Sequence, residues 1–197
     1  IRMFTIDATD PDAEPVDLGT LGGNVSFAND INDSGVVVGK SSKENGLTQA
    51  AMYDPSQGED LIDLGALRTD KFSEAYGLNN LGQVVGVAET DIVQGQRRFA
   101  GFLYENGTMT DIHDLVDCTN WVLAEARDIN DNGEIIGNGS VNGELHAFKL
   151  VPTPNGGDRV PCEGEGQEFN KDGGGGGSLF ALLLPLVCLR FRRKNIG

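Results

Sequence analysis

Three times along the chain, a short stretch alternating small and polar residues leads into a polar turn and out again into β-branched residues. The first copy, residues 26–39, reads SFANDINDSGVVVG; the second, 73–86, reads SEAYGLNNLGQVVG; the third, 124–137, reads AEARDINDNGEIIG. The pattern predicts strand, turn, strand, with residues 27–31 and 36–39 flanking the turn Asn32-Asp33-Ser34-Gly35 in the first copy. Asn, Asp and Gly suit such a turn because they tolerate positive φ and their side chains bond to nearby backbone. The second strand is β-branched in every copy, Val36-Val37-Val38, Val84-Val85 and Ile135-Ile136, as a pleated and buried surface favours. The Gly that follows (Gly39, Gly86, Gly137) either lets a neighbouring backbone approach or ends the strand in a bulge.

Other markers keep the same period. The turn Asn recurs at Asn32, Asn79 and Asn130, 47 and 51 residues apart, and the pair Asp-Leu at Asp17, Asp63 and Asp114, 46 and 51 apart. A third strand ends on Ile6, Tyr53, Tyr104 and Leu150, and a fourth is expected to end in the Asp-Leu pair. Little here has a helical period. Units of four strands and this length have the size of a β-propeller blade, and one blade cannot bury both faces of its sheet without neighbours. The expected fold is therefore all-β, with propeller-like blades of about four antiparallel strands. A curved open array is the alternative. Residues 1–15 read as the last strands of a preceding repeat, followed by units over about 16–62, 63–113 and 114–150. The chain opens on Ile1 in what reads as mid-architecture, without a signal segment, which predicts the C-terminal part of a longer, incomplete propeller.

The repeats resemble the HAF-repeat family of bacterial extracellular proteins. The resemblance covers roughly 16–150 and rests on Asp17-Leu18-Gly19-Thr20-Leu21-Gly22-Gly23, the Ile31-to-Gly35 turn, Val37-Val38-Gly39 and a literal His146-Ala147-Phe148. The second unit departs from it, with Arg68 and Thr69 in the Gly-Gly positions, and the third lacks the Gly-rich segment. What the resemblance implies is a secreted β-rich protein of unassigned biochemistry.

Charge changes the picture by exclusion. The formal charge is −15, and four of the 15 Lys and Arg stand in the last eight residues, so the chain ahead of Gly173 is more acidic still. Such a surface repels phosphate backbones and argues against nucleic acid as a partner. It serves solubility, with binding of divalent cations or a cationic partner as the alternative.

After the repeats, residues 151–172 carry Pro152, Pro154, Gly156-Gly157, Pro161 and an acidic run, the composition of a solvated stalk. Then come Gly173, Gly174, Gly175, Gly176, Gly177 and Ser178, an apolar run over 179–189, and a basic end with Arg190, Arg192, Arg193 and Lys194. The 11 apolar residues span only about 16 Å as a helix, against a hydrocarbon core of about 30 Å. Counting from Gly173 extends the segment to 17 residues and about 26 Å, a marginal membrane span. Pro185 adds a kink. The positive-inside rule keeps the basic end in the cytoplasm and sets the repeats on the periplasmic side of the inner membrane.

This order of parts resembles the GlyGly-CTERM sorting signal. The resemblance implies cleavage by rhombosortase, an intramembrane serine protease, and transfer to the secretion machinery for delivery to the cell surface or medium. A glycine-rich, poorly helical stretch at the membrane edge unwinds at low cost, which places the cut within residues 173–178. An ordinary permanent anchor is the competing reading.

Other constellations lead nowhere. Residues 30–35 and 128–133 open like calcium loops, but an EF-hand needs an acid at position twelve, where Ser41 and Gly139 stand. A propeller-type loop wants an acid near position nine, where the chain has Val38 and Ile136. Plain hairpin turns are expected, with no cofactor. Neither His113 nor His146 has a second His or a Cys two to four residues on, and no nucleophile elbow is present. Cys118 and Cys162 fall in the part placed outside the cytoplasm, where a disulfide is allowed, and Cys188 sits in the apolar tail. Trp121 and the phenylalanines are read as core rather than as a carbohydrate platform. The sequence thus points to a non-enzymatic, exported β-repeat protein that binds or scaffolds. The alternative from another class is a secreted enzyme whose active site lies in the part ahead of Ile1.

Overall fold

Successive hairpins fold back on themselves to make a row of small antiparallel sheets. The computed structural model describes residues 1–93, 95–116 and 120–153, with the backbone of 187–191. Strands β1 (Phe4–Thr5) and β2 (Val16–Asp17) form a two-stranded sheet. The first full sheet runs in chain order through β3 (Gly22–Ile31), β4 (Val37–Lys43), β5 (Thr48–Tyr53) and β6 (Ile62–Gly65). The second does the same with β7 (Ser73–Leu78), β8 (Val84–Val93), β9 (Gln96–Glu105) and β10 (Thr108–Asp111). The third holds β11 (Trp121–Ile129), β12 (Ile135–Val141) and β13 (Glu144–Pro152). The domain is all-β and repeat-built, as the periodicity predicts.

Details differ from the sequence reading in three places. Strand β4 begins at Val37 and passes through Gly39 to Lys43, so the glycine does not end the strand. It admits a backbone: a Cβ at Gly39 would run into the carbonyl oxygen of Phe27, at Gly86 into that of Glu74, and at Gly137 into that of Glu125. Opposite each glycine the first strand carries a register shift, after Ala28, Ala75 and Ala126. Close approach and bulge are thus the same device. Second, the Asp-Leu pair ends a fourth strand only in the first sheet; Asp114-Leu115 lies in a 3-10 helix, Ile112–Leu115, capped by the Asp111 side chain accepting from the His113 amide at 2.9 Å. Third, Val187–Phe191, which includes the end of the run expected as a helix over 179–189, lies extended and parallel beside β13. The rest of that run is outside the described residues, among which no helix is long and apolar enough to cross a membrane.

Three apolar clusters fill the spaces between sheets, as one-faced sheets require. Met3, Leu18 and Val37 join the two-stranded sheet to the first. Val38, Ala50, Leu64, Ala75, Leu78, Val84 and Phe102 join the first to the second. Val85, Leu103, Ile112, Leu123, Ala126, Ile129, Ile135, Phe148 and Leu150 join the second to the third. Trp121 is buried in that last cluster, as the core reading of the sequence has it. In the first two repeats the consecutive β-branched pair acquires a reason: one residue faces the preceding sheet and the next faces the following one, so Val37 and Val38, and likewise Val84 and Val85, serve different cores, whereas Ile135 is buried and Ile136 is exposed.

Candidate functional site

Each sheet has two edges, and the chain uses them differently. At one edge lie the Asn turns. Asn32 Oδ1 accepts from the amides of Ser34 and Val36, Asn79 Oδ1 from Leu81 and Gln83, and Asn130 Oδ1 from Asn132 and Glu134, all at 3.0–3.1 Å. The glycines of the turns supply the positive φ: 76° at Gly35, 77° at Gly82 and 74° at Gly133. With the oxygens so occupied, the amide nitrogens reach sideways. Asn32 Nδ2 donates to the carbonyl of Asn79 at 3.2 Å, and Asn79 Nδ2 to the carbonyl of Asn130 at 3.0 Å. The next residue repeats the move: the Asp33 amide donates to Asn80 Oδ1, the Asn80 amide to Asp131 Oδ1, and Asn80 Nδ2 to both flanking carboxylates. The carboxylates that opened like ion loops are therefore engaged by amides. Asp30 Oδ2 likewise accepts from the Leu78 amide of the next sheet at 2.9 Å.

A second set of bonds fastens sheet to sheet through buried serines. Ser26 Oγ accepts from the Met3 amide at 3.0 Å and donates to the Gly19 carbonyl at 2.8 Å. Ser73 Oγ accepts from the Ala50 amide at 2.8 Å and donates to the Gly65 carbonyl. The third repeat has Ala124 at that position, and here His113 Nε2 accepts from the Leu123 amide at 2.9 Å. Charged contacts cross the same interfaces: Lys40 to Glu74 at 3.0 Å, and the Arg127 guanidinium 4.6 Å above the Tyr76 ring. Burial, then the Glu74 carboxylate, raises the Tyr76 hydroxyl pKa.

The opposite edge is open. Here strand β8 at Thr90, the link from β6 to β7, the end of β10 and the 3-10 helix surround a polar cleft of about 340 Å³, lined by Leu67, Arg68, Thr90, Met109, Thr110, Asp111 and Asp114. That volume lies at the low end for small-molecule sites. Arg68 lies 3.9 Å from Asp91 across exposed surface, a contact that holds neither side chain firmly. Burial raises the Asp111 pKa, partly offset by the His113 amide it caps. A shallower hollow at the β4–β5 turn, beside Leu21, Lys43, Glu44 and Asn45, occupies the corresponding place on the first sheet. The arrangement offers a guanidinium, two carboxylates and two hydroxyls around one space, suited to holding a small polar ligand by hydrogen bonds.

His113 has its Nε2 committed as an acceptor, and His146 packs against Trp121 with ring centroids 5.5 Å apart. Among the described residues no group of three or more His, Cys, Asp or Glu is placed to hold a metal ion.

Residues 7–146 match the family described as Protein of unknown function (DUF3466). The chain belongs to the DUF3466 family. The DUF3466 match takes in the stacked turns, the Ser73 clamp and the cleft, and stops inside β13. No curated protein and no solved structure matches the chain. The residues singled out from sequence alone lie elsewhere. Gly173, Gly174, Gly175, Gly176, Gly177, Ser178, Arg192, Arg193 and Lys194 follow the DUF3466 region and are outside the described residues. Arg190 and Cys188 are described in backbone only, and Cys118 and Cys162 are outside the described residues, as is any bond between them. Sequence reasoning missed the cleft, whose residues come from four separate segments. It also missed the serine clamps, though a constant offset of 23 residues from Met3 to Ser26 and from Ala50 to Ser73 was there to be found.

Proposed function

We infer that this protein is an exported β-repeat scaffold whose sheets are blades of a propeller and whose open edge binds a small polar ligand or a surface group. The propeller reading is supported by a wedge-like arrangement: the first strands β3, β7 and β11 pack closely in succession, while the outer strands β6 and β10 touch only lightly. The binding reading is carried by the cleft at Arg68, Thr110 and Asp111, on the rim away from the stacked Asn turns. Its C-terminal part serves as a temporary tether. The apolar run over 179–189 holds the repeats on the periplasmic side, and a rhombosortase-type protease cuts within 173–178 before release to the surface or medium.

Two measurements test this. Mass spectrometry of the mature protein from the surface and medium should find a C-terminus within 173–178; a mature protein that keeps Arg192 and Lys194 overturns the release and leaves a permanent anchor. Labelled mature protein added back to gene-deleted cells should adhere saturably, and Thr110→Tyr, which fills the cleft, should weaken adhesion. Equal adhesion by the variant removes the cleft from the function.

A further inference from the structure

The third repeat closes its sheet in a way the first two do not. In those, the fourth strand follows directly and runs antiparallel to the third, β6 beside β5 and β10 beside β9. After β13 the sequence carries Pro154, Gly156, Gly157 and Pro161, a composition that disfavours a strand. The outer edge of β13 is taken instead by β14 (Val187–Phe191), which runs parallel to it. A parallel neighbour needs a crossover of about a dozen residues or more, and residues 153–186 supply that length.

The pairing suits the residues that make it. Residues 187–191 read VCLRF, with large apolar residues at every second position, the period of a strand rather than of a helix. The register sets Val187 opposite Phe148 and Leu189 opposite Leu150, and both partners are fully buried core residues of β13. Cys188 and Arg190 fall opposite Lys149 and Val151. The apolar positions of β14 therefore share the register of the core positions of β13. The same residues are also claimed by the tether, because the apolar run 179–189 overlaps β14 at Val187, Cys188 and Leu189. Paired strands lie about 4.8 Å apart, so these residues cannot stand beside β13 and lie within a bilayer at once. In lipid their backbone groups find no sheet edge and must close on one another as a helix.

We propose that residues 187–191 exchange between these two places, and that the edge of β13 is where the tail is stowed whenever it is out of the membrane. Docking covers the backbone edge of the last sheet, which would otherwise be a template for pairing with other chains. It also gives part of the apolar run a partner other than water. Insertion undocks the strand, and cleavage within 173–178 removes it, so the released protein carries an open β13 edge that its precursor can cover. The membrane half of this exchange rests on the tether reading above; the docked half does not.

The experiment follows amide exchange along β13, from Ala147 to Val151, in the purified full chain, first in detergent-free buffer and then with vesicles of phosphatidylethanolamine and phosphatidylglycerol. The comparison is a chain ending at Ser178, which retains all three apolar clusters, and the amides of β8 check folding in every sample. In buffer, the amides facing β14 should exchange about tenfold or more slowly in the full chain than in the shortened one. Leu189→Arg combined with Arg190→Leu keeps the composition, sets the charge at the register position of Leu150, and should bring β13 of the full chain to the rate of the shortened chain. On vesicles the full chain should bind, and its β13 should again exchange at the faster rate. Equal rates in buffer for the full and shortened chains overturn the docking and leave the tether reading standing, and so does protection that survives the paired substitution. Protection that persists in the vesicle-bound chain overturns the exchange. A full chain that is protected in buffer yet does not bind the vesicles overturns the tether reading, and the exchange with it, while the docked strand stands.

Discussion

Ser73 is a small residue with a large structural duty, and its removal can be worked through quantitatively. Its hydroxyl is fully buried between the first and second sheets, accepting from the Ala50 amide and donating to the Gly65 carbonyl. Ser73→Ala leaves a buried amide with no acceptor, a loss of about 1–3 kcal/mol, and removes a net contribution of about 1 kcal/mol from the bond to Gly65. No apolar area is lost in exchange, since the change deletes one polar atom. The expected destabilisation is roughly 2–4 kcal/mol. For a chain of this size each kcal/mol lowers the melting temperature by about 2–4 °C, so a fall of about 4–16 °C should be seen. Urea unfolding should show a lower midpoint at unchanged slope, because the surface exposed on unfolding is the same. The converse substitution, Ala124→Ser, sets a hydroxyl at the same 23-residue offset from Gly101 and should gain about 1 kcal/mol if it finds the Gly101 amide. A loss below about 0.5 kcal/mol for Ser73→Ala would refute the clamp and return Ser73 to being merely a small residue between two sheets.

Three further outcomes follow from the same interfaces. Asn79→Asp keeps the acceptor for the Leu81 and Gln83 amides but deletes the donor to the Asn130 carbonyl and Gln83 Oε1, so it should cost about 2–3 kcal/mol in urea unfolding, and more at pH 7 than at pH 3, where the new carboxyl regains a proton to donate. Gly86→Ala, which drives a Cβ into the Glu74 carbonyl and against Phe102, should lower expression of folded protein, whereas Gly46→Ala, at an open turn with φ 81°, should cost only about 1 kcal/mol. Asp111→Asn keeps the cap on the 3-10 helix and removes a charge whose ionisation burial opposes. Because the folded pKa stands above the unfolded value of 3.8, the wild type should lose stability as pH rises from there through the folded pKa, and thermal melts of the variant should lack that decline.

The repeat, the strand–turn–strand order and the glycine approach were legible in the sequence because they are local. A turn Asn bonds residues two and four places on, and a β-branched pair declares its own burial. The sideways half of each interaction was not legible. That Asn79 donates to Asn130, or that Ser73 meets Ala50, depends on how one sheet lies on the next, and a sequence seen one window at a time does not contain that geometry. The 3-10 helix at Ile112–Leu115 escaped for a related reason: Asp114-Leu115 carries the same letters as Asp63-Leu64, but Asp111 caps the chain ahead of it and turns it from extended to helical. The cleft was hidden because Arg68, Thr90 and Asp111 come together only through the long second hairpin and the neighbouring link.

The two edges of each sheet also differ in how much change they can absorb. The 51-residue step from Asn79 to Asn130, against 47 from Asn32 to Asn79, is taken up in β8 and β9, each 10 residues long where β4 and β5 have 7 and 6. The added length extends away from the Asn turns, which keep their register. A lineage of such proteins can therefore lengthen, shorten or rewrite one rim, residue by residue, and try new specificities there while the other rim goes on setting the spacing of the whole row. The fold separates the part that must stay the same from the part that is free to be inventive.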